Sequence, residues 1–265
     1  MGSANAMEIF KQLPKTNCRA CNETTCLAFA SKVYLGTKPL SLCPHVEKSQ
    51  LETVSGGGVE SIEAQRDEKI ELLKARVAAL DLESLAPKVG GTYADNRLEL
   101  RIMGKQVWVD DSGTLTSEIH TNRWLYYTVH AYLLACGGAP LKGAWVPFRE
   151  LAGAREKNGL FVQRTELPFK ALADAQPDLF EILIDLFNGK AVDNSFQADF
   201  SFTLAPLPRL PMMVCYWRPE EGMDSQLTLF FDESANENGG EEVVYAAASG
   251  IVVMFEKIAA RHGHL

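Results

Sequence analysis

Residues 198–234, ADFSFTLAPLPRLPMMVCYWRPEEGMDSQLTLFFDES, hold three apolar runs: 198–207, 210–219 and 225–234. Each is rich in Phe, Val, Thr, Tyr, Trp and Leu, side chains that fit a pleated, half-buried surface. Prolines cluster between the first two runs, and Pro219 closes the second. Proline donates no ladder hydrogen bond, so these breaks mark strand limits. Three adjacent strands with short connections predict an antiparallel sheet.

Working outward, RLELRIMGKQVWVDD (97–111) alternates at Leu98, Leu100 and Ile102 and resumes through Val107 and Val109, which predicts a hairpin turning at Gly104-Lys105. Residues 116–138 read as a helix ending near Gly137. Residues 174–190 read as another, with Pro177 near its start and Gly189 after its end. The stretch 240–263 reads as a closing helix. Hairpin, helices, strands and helix, in that order, predict an α+β fold rather than regular βαβ alternation. The expected organisation is a four-cysteine segment over 1–50, a Gly-rich joint (Gly56-Gly57-Gly58) with a connecting helix over 51–84, and an α+β domain over 85–265. The helix, from about Ser61 to Leu80, shows its apolar stripe at Ile62, Ile70, Leu73, Val77 and Leu80.

The chain has 265 residues and a net charge of −8. That balance argues against nucleic acid as a partner, because phosphate binding needs clustered Lys and Arg. The first 50 residues run the other way: Lys11, Lys15, Arg19, Lys32, Lys38 and Lys48 face only Glu8, Glu23 and Glu47. No run looks apolar over the roughly 20 residues of a membrane span. The start lacks a basic region followed by an apolar core, so a cytoplasmic location is expected.

Four of the six cysteines stand in NCRACNETTCLAFASKVYLGTKPLSLCP (17–44), spaced C-x2-C-x4-C-x16-C: Cys18, Cys21, Cys26 and Cys43. Disulfides suit an oxidising compartment, which the sequence does not indicate. Structural zinc prefers two close cysteine pairs, each pinching one side of a tetrahedron, and only one pair is present. An iron–sulfur cube binds its ligands at separate corners, so three thiolates from a tight loop and one distant Cys-Pro suit it better; zinc is the alternative. Thr25 is placed to cap a helix that begins near Cys26 and ends near Gly36, where free N–H groups favour negative charge. Lys15, Arg19 and Lys38 add positive charge.

This segment resembles the N-terminal cluster segment of the corrinoid iron–sulfur protein, the gamma subunit of the acetyl-CoA decarbonylase/synthase system, and that of the B-type component of the Rnf electron-transport complex. The resemblance implies a 4Fe–4S cluster on Cys18, Cys21, Cys26 and Cys43, low-potential electron transfer in anaerobic metabolism and a redox partner protein. Asn22 stands where those families usually carry Gly, and Asn tolerates a left-handed backbone. Residues 85–260 resemble a domain of unknown function found in anaerobic bacteria and archaea, through APLKGAWVPFRELAGA, FSFTLAPLPRLPMMVCYWRPEEG and LTLFFDESA. That second likeness brings no activity with it.

The larger region shows no nucleotide-binding glycine loop, no H-E-x-x-H and no G-x-S-x-G. Trp124, Tyr127 and His130 share a helical face, expected to be a buried stripe rather than a ligand platform. His262 and His264 read as a tail, and Cys136 and Cys215 as buried inert thiols. Arg218, Glu220, Glu221 and Asp224, with Asp232 and Glu233, read as a solvated turn, the alternative being a cation or basic-partner site. Trp145, Phe148 and Arg149 read as a packed loop. Two functions remain in view: an electron carrier, or a ligand- or partner-binding module in which the cluster is structural. A stand-alone enzyme is less expected than either.

Overall fold

The computed structural model describes residues 6–34, 38–46, 57–119, 122–192 and 196–262, with the backbone alone for 57–66 and 262. The chain divides into two compact units, Met1–Glu71 and Leu72–Leu265.

In the first unit, helix α1 (Ala6–Gln12) packs on α2 (Cys26–Tyr34), and a single 3-10 turn (Leu40–Leu42) follows. Ile9, Leu13, Phe29, Ala30 and Leu40 form its small apolar centre. Helix α3 (Gly57–Ala78) runs across the division between the units. Gly57 and Gly58 therefore open a helix rather than a joint, and Gly56 lies outside the described residues. Glycine's low helix propensity costs least in the first turn, whose N–H groups have no intrahelical partner.

The second unit is α+β, as its order of elements predicts. Strands β1 (Thr92–Ala94), β2 (Arg97–Ile102), β3 (Lys105–Asp110) and β4 (Leu115–Ser117) form an antiparallel meander. Two of its turns have two residues, both at positive φ: Asp95 and Asn96 (51° and 58°), and Met103 and Gly104 (49° and 76°). That is the type I′ pattern, whose twist matches the strands it joins. The β2–β3 turn is thus Met103-Gly104, one residue earlier than the sequence indicates, because Lys105 pairs with Ile102. Met103 is 2% exposed and its N–H donates to Ala205 O at 2.8 Å. Burial and that bond offset the cost of a left-handed methionine.

The second sheet has the order β5-β9-β8-β7-β6. Its centre is the predicted trio: β7 (Phe200–Leu207), β8 (Leu210–Trp217) and β9 (Gln226–Asp232), all antiparallel. Short strands β5 (Trp145–Pro147) and β6 (Lys190–Ala191) complete the edges. Pro206 is tolerated inside β7 because the register shifts between Leu204 and Leu207, a bulge that leaves a residue unpaired.

The helices are α4 (Leu82–Leu85), α5 (Arg123–Ala135), α6 (Asn158–Arg164), α7 (Glu166–Ala175), α8 (Pro177–Leu186), α9 (Ala235–Asn238) and α10 (Gly240–His262). Helix α5 starts later than expected, at its Asn122 cap, because Leu115–Ser117 is already committed to β4. Strand alternation sorts the second sheet's side chains. Phe202, Leu204, Met212, Val214, Leu229 and Phe231 join the main core, while Met213, Cys215 and Phe230 pack on the other face with Ala198. Aromatic rings tie the core together: Phe148 stacks on Phe161 at 4.0 Å, and Phe169 meets Phe180 and Phe255 edge-on. By length and composition the Gly240–Arg261 stretch is apolar enough to cross a membrane, which the sequence reading overlooked, but 56% of it is buried. Val244, Ala247, Ala248, Ile251 and Phe255 place that apolarity in the core.

Candidate metal centre

Cys18 lies in the loop between α1 and α2, as does Cys21, while Cys26 opens α2 and Cys43 closes the 3-10 turn. Left-handed backbone recurs along the loop, at Lys15 (58°), Asn17 (49°), Arg19 (62°) and Asn22 (57°). Such reversals turn successive amides to one side, a geometry that favours anions and recurs at iron–sulfur sites. Asn22 N–H donates to Arg19 O at 2.9 Å, closing the turn between the first two cysteines. Asn22 therefore takes the left-handed conformation that its place in the motif requires.

Three bonds set the start of α2. Thr25 Oγ1 accepts from Ala28 N–H at 3.0 Å and Thr25 O from Phe29 N–H at 3.0 Å. Such a cap is worth about 1 kcal/mol. Asn17 Oδ1 accepts from Cys26 N–H at 2.7 Å, tying the cysteine loop to the helix across nine residues. The expected helix end at Gly36 lies outside the described residues.

Cys21, Cys26 and Cys43 are 8%, 6% and 6% exposed and share one apolar cluster with Ile9, Leu13, Phe29 and Leu40. Cys18 is exposed, at the rim. Among the described residues, no three Cys, His, Asp or Glu side chains surround a single point closely enough for one metal ion. Three of the thiols share one small core, and the fourth is exposed on the loop before α2. The Ala20 N–H, and after it Thr16, hydrogen-bonds to Cys18 and holds its thiol below the ordinary value, outweighing a small opposing desolvation.

Charge is distributed unevenly around the loop. Glu23 binds Lys32 at 2.8 Å and Lys38 at 2.6 Å, and these two ammonium groups, Lys32 first, hold its carboxyl below the usual range. Lys38 also donates to Cys21 O at 3.1 Å and Asn22 O at 3.4 Å. Lys38 precedes Cys43 by five residues, so it pins the approach to the fourth cysteine against the turn that holds the second. Lys15 lies over the Phe10 ring, 5.6 Å from its centre.

The remaining candidates are structural. His130 is buried, with Nδ1 2.6 Å from Tyr126 O and Nε2 2.7 Å from Gly113 O, so both ring nitrogens are engaged. Trp124 lies in a notch on α10 where a Cβ on Gly250 would overlap its indole, and its Nε1–H donates to Ala246 O. Tyr127 donates to Glu242. Cys136 and Cys215 are buried, and desolvation pushes the Cys215 thiol up to about 11. His262 ends α10, and His264 lies outside the described residues.

Asp232 does not join Glu220, Glu221 and Asp224. It is 1% exposed; Oδ1 accepts from Lys142 N–H at 3.0 Å and Ser234 N–H at 2.9 Å, and Oδ2 from Gly143 N–H at 2.6 Å. The other three carboxylates are exposed, and Glu220 and Met223 bridge a tight turn. The solvated-turn reading therefore fits residues 218–224, whereas Asp232 staples the loop before β5. Phe148 is packed in the core and Arg149 is exposed.

Sequence reasoning missed Asn17, Glu23 and Asp174. Asp174 accepts from Tyr216, Ser225 and Lys170, sealing α7 to the β8–β9 turn. Nothing in the local sequence marks these three as ties between segments: Asn17 and Glu23 bind partners nine residues on, and Asp174 reaches Ser225, 51 residues away.

A family model described as Domain of unknown function (DUF3786) matches residues 81–254, about two thirds of the chain. The chain belongs to the DUF3786 family. In this DUF3786 protein a second model, described as "Putative Fe-S cluster", matches residues 13–45, which take in all four clustered cysteines. Residues 13–45 are thus an iron–sulfur segment placed ahead of the DUF3786 domain. The segment is similar to the acetyl-CoA decarbonylase/synthase complex subunit gamma of Methanothermobacter thermautotrophicus, 40% identical over 60 residues, 22% of this chain and 13% of that protein. It is also similar to the corrinoid/iron-sulfur protein large subunit of Moorella thermoacetica, 41% identical over 56 residues, 21% of this chain and 13% of that protein. A longer, weaker match, 24% over 193 residues, joins 70% of this chain to 37% of the gamma subunit of Methanocaldococcus jannaschii. The DUF3786 chain therefore spans well under half the length of these curated relatives. The likeness to the Rnf component finds no support in these matches. No solved structure matches.

Proposed function

We propose that Cys18, Cys21, Cys26 and Cys43 hold a 4Fe–4S cluster through which this protein passes low-potential electrons, in the cytoplasm and in service of a corrinoid or one-carbon pathway. One observation carries the reading: three of the four thiols, Cys21, Cys26 and Cys43, sit in a single apolar cluster, while Cys18 is exposed on the loop that leads to Cys21. Soft sulfur ligands gathered in an apolar environment are the donor set an iron–sulfur cluster takes. Such a cluster, when bound, accepts and releases one electron at a time.

The chain's own residues would do the rest. Asn17 holds the start of α2 against the loop. Lys38 ties the Cys43 segment to Cys21 and Asn22 and, with Lys32, places positive charge beside a net-negative centre. Hydrogen bonds to sulfur and local charge tune such potentials. The one-carbon role is drawn from relatives whose names carry corrinoid and acetyl-CoA chemistry. The DUF3786 domain would then dock on another protein while the cysteine segment meets the redox partner.

Anaerobic reconstitution should give about four iron and four sulfide per chain, with a broad visible band that bleaches under dithionite. The Cys43→Ser variant should lose that band. One zinc per chain, or a cluster that resists reduction at every accessible potential, would remove the electron-carrier role. The second outcome would leave a structural cluster, which the burial of Cys21, Cys26 and Cys43 in the small core of the head also favours.

A further inference from the structure

We propose that the surface around Cys18 is the docking site for an acidic, one-electron carrier protein, with Lys15 and Arg19 as its basic contacts. The proposal rests on the electron-transfer reading above and adds the chemistry of the partner. Cys21, Cys26 and Cys43 are buried, so Cys18 is the cysteine through which the cluster comes nearest to solvent. Electron transfer falls steeply with distance, and a partner gains most by sitting over that sulfur.

The residues there favour one kind of partner. All of Pro14 to Ala20 is exposed. That run contains Lys15 and Arg19, three before and one after Cys18, and no carboxylate. Lys32 and Lys38, by contrast, are engaged by Glu23. Among the described residues no carboxylate pairs with Lys15 or Arg19. A protein of net charge −8 that keeps unneutralised cations at its exposed cluster ligand selects an acidic partner there. In the exchange, one electron would pass from the reduced carrier, which is oxidised, to the cluster that Cys18, Cys21, Cys26 and Cys43 would hold, which is reduced; no bond forms or breaks and no proton moves.

The overall charge makes the test decisive. Two net-acidic proteins repel at long range, so raising salt should speed their reaction unless a local basic face guides docking, in which case salt slows it. The experiment uses the full-length, cluster-loaded protein in anaerobic stopped flow, with a reduced acidic two-cluster ferredoxin or a reduced zwitterionic viologen as donor. The wild-type rate with ferredoxin should fall as salt rises. Lys15→Glu with Arg19→Glu should slow it about tenfold or more at low salt relative to the viologen rate of the same variant, which absorbs any shift in the cluster's own potential, and should reverse the salt dependence with iron content kept. Because Lys15 also covers Phe10, Arg19→Glu alone is the second variant, and should shift both readouts in the same direction by less. An unchanged ferredoxin rate and salt slope in both variants, with normal viologen reduction, overturns the proposal. A wild-type cluster that neither donor reduces overturns the electron-transfer reading, and this surface assignment with it.

Discussion

Replacing Asp232 tests the physical account of the DUF3786 domain most directly. Its carboxylate is buried and receives three backbone N–H groups, from Lys142, Gly143 and Ser234, at 2.6 to 3.0 Å. A hydrogen bond to a charged acceptor is worth about 1.5–3 kcal/mol, and a buried donor left unpaired costs about 1–3 kcal/mol. Asp232→Ala strands three donors, so about 3–6 kcal/mol should be lost, allowing for water that enters. Asp232→Asn keeps Oδ1 for Lys142 and Ser234 but turns an NH2 group toward the Gly143 N–H, so about 2–3 kcal/mol should go. Both are large against the roughly 5–15 kcal/mol of a typical domain. Desolvation pushes the Asp232 carboxyl up, but the bonds from Ser234, Lys142 and Gly143 outweigh it and hold the group below the ordinary range. A depressed acid stabilises the fold above its unfolded pKa, about 3.9, and that contribution is lost as pH falls through the lower folded value. The gap between wild type and Asp232→Asn should therefore be full at pH 7 and shrink below about pH 4. Urea unfolding followed by tryptophan fluorescence reads this domain alone, since Trp108, Trp124, Trp145 and Trp217 all lie in it. A loss under about 0.5 kcal/mol for Asp232→Asn, or a gap that stays constant from pH 3 to 7, would refute the staple.

Gly250→Val should expel the Trp124 indole from α10 and break its bond to Ala246, costing about 2–4 kcal/mol and shifting fluorescence to the red; an unchanged spectrum would mean that the notch is not filled as described. Lys38→Met removes the tie between the Cys43 segment and the Cys21 turn, and iron should leave for a chelator about tenfold faster, a change of about 1.4 kcal/mol, with Lys38→Arg intermediate. In apo protein, iodoacetamide followed by mass spectrometry should label Cys18 first, because it is exposed and its thiol is held low, and Cys215 last, because it is buried with its thiol near 11; equal rates would contradict both environments.

The central strands, the hairpin and the helices after Asn122 and Gln176 were legible because each carries its own period and punctuation. What escaped depends on partners far along the chain. Strands β5 and β6, three and two residues long, exist only because the edges of β9 and β7 offer them a ladder. Helices α6 and α7 carry Gly159 and Pro168 in their first turns, where a missing N–H or a flexible residue is tolerated, and neither helix shows a period long enough to stand out in sequence. Asp232 reads as one more carboxylate at a strand end, and only the return of Lys142 and Gly143, about ninety residues upstream, turns it inward.

The cysteine segment inverts this relation between sequence and structure. Ligands for a cluster are of one residue type and mostly come from one loop, so their spacing is visible in a way that the partners of Asp232 are not. The reversals between them need residues that accept a positive φ, and Asn17 and Asn22 are the residue type that tolerates it best after glycine. Charge was only half legible. Lys15, Arg19 and Lys38 could all be named as nearby cations, yet composition cannot divide them. The fold does: Glu23 and the Cys21 carbonyl engage Lys38 and commit it to the Cys21 turn, while Lys15 and Arg19 remain beside the one cysteine that reaches solvent. Identical charges thus acquire separate work, one set internal and one facing outward. A salt series separates the two: the outward set should govern the rate with a charged protein donor, and the inward set the lifetime of the bound iron.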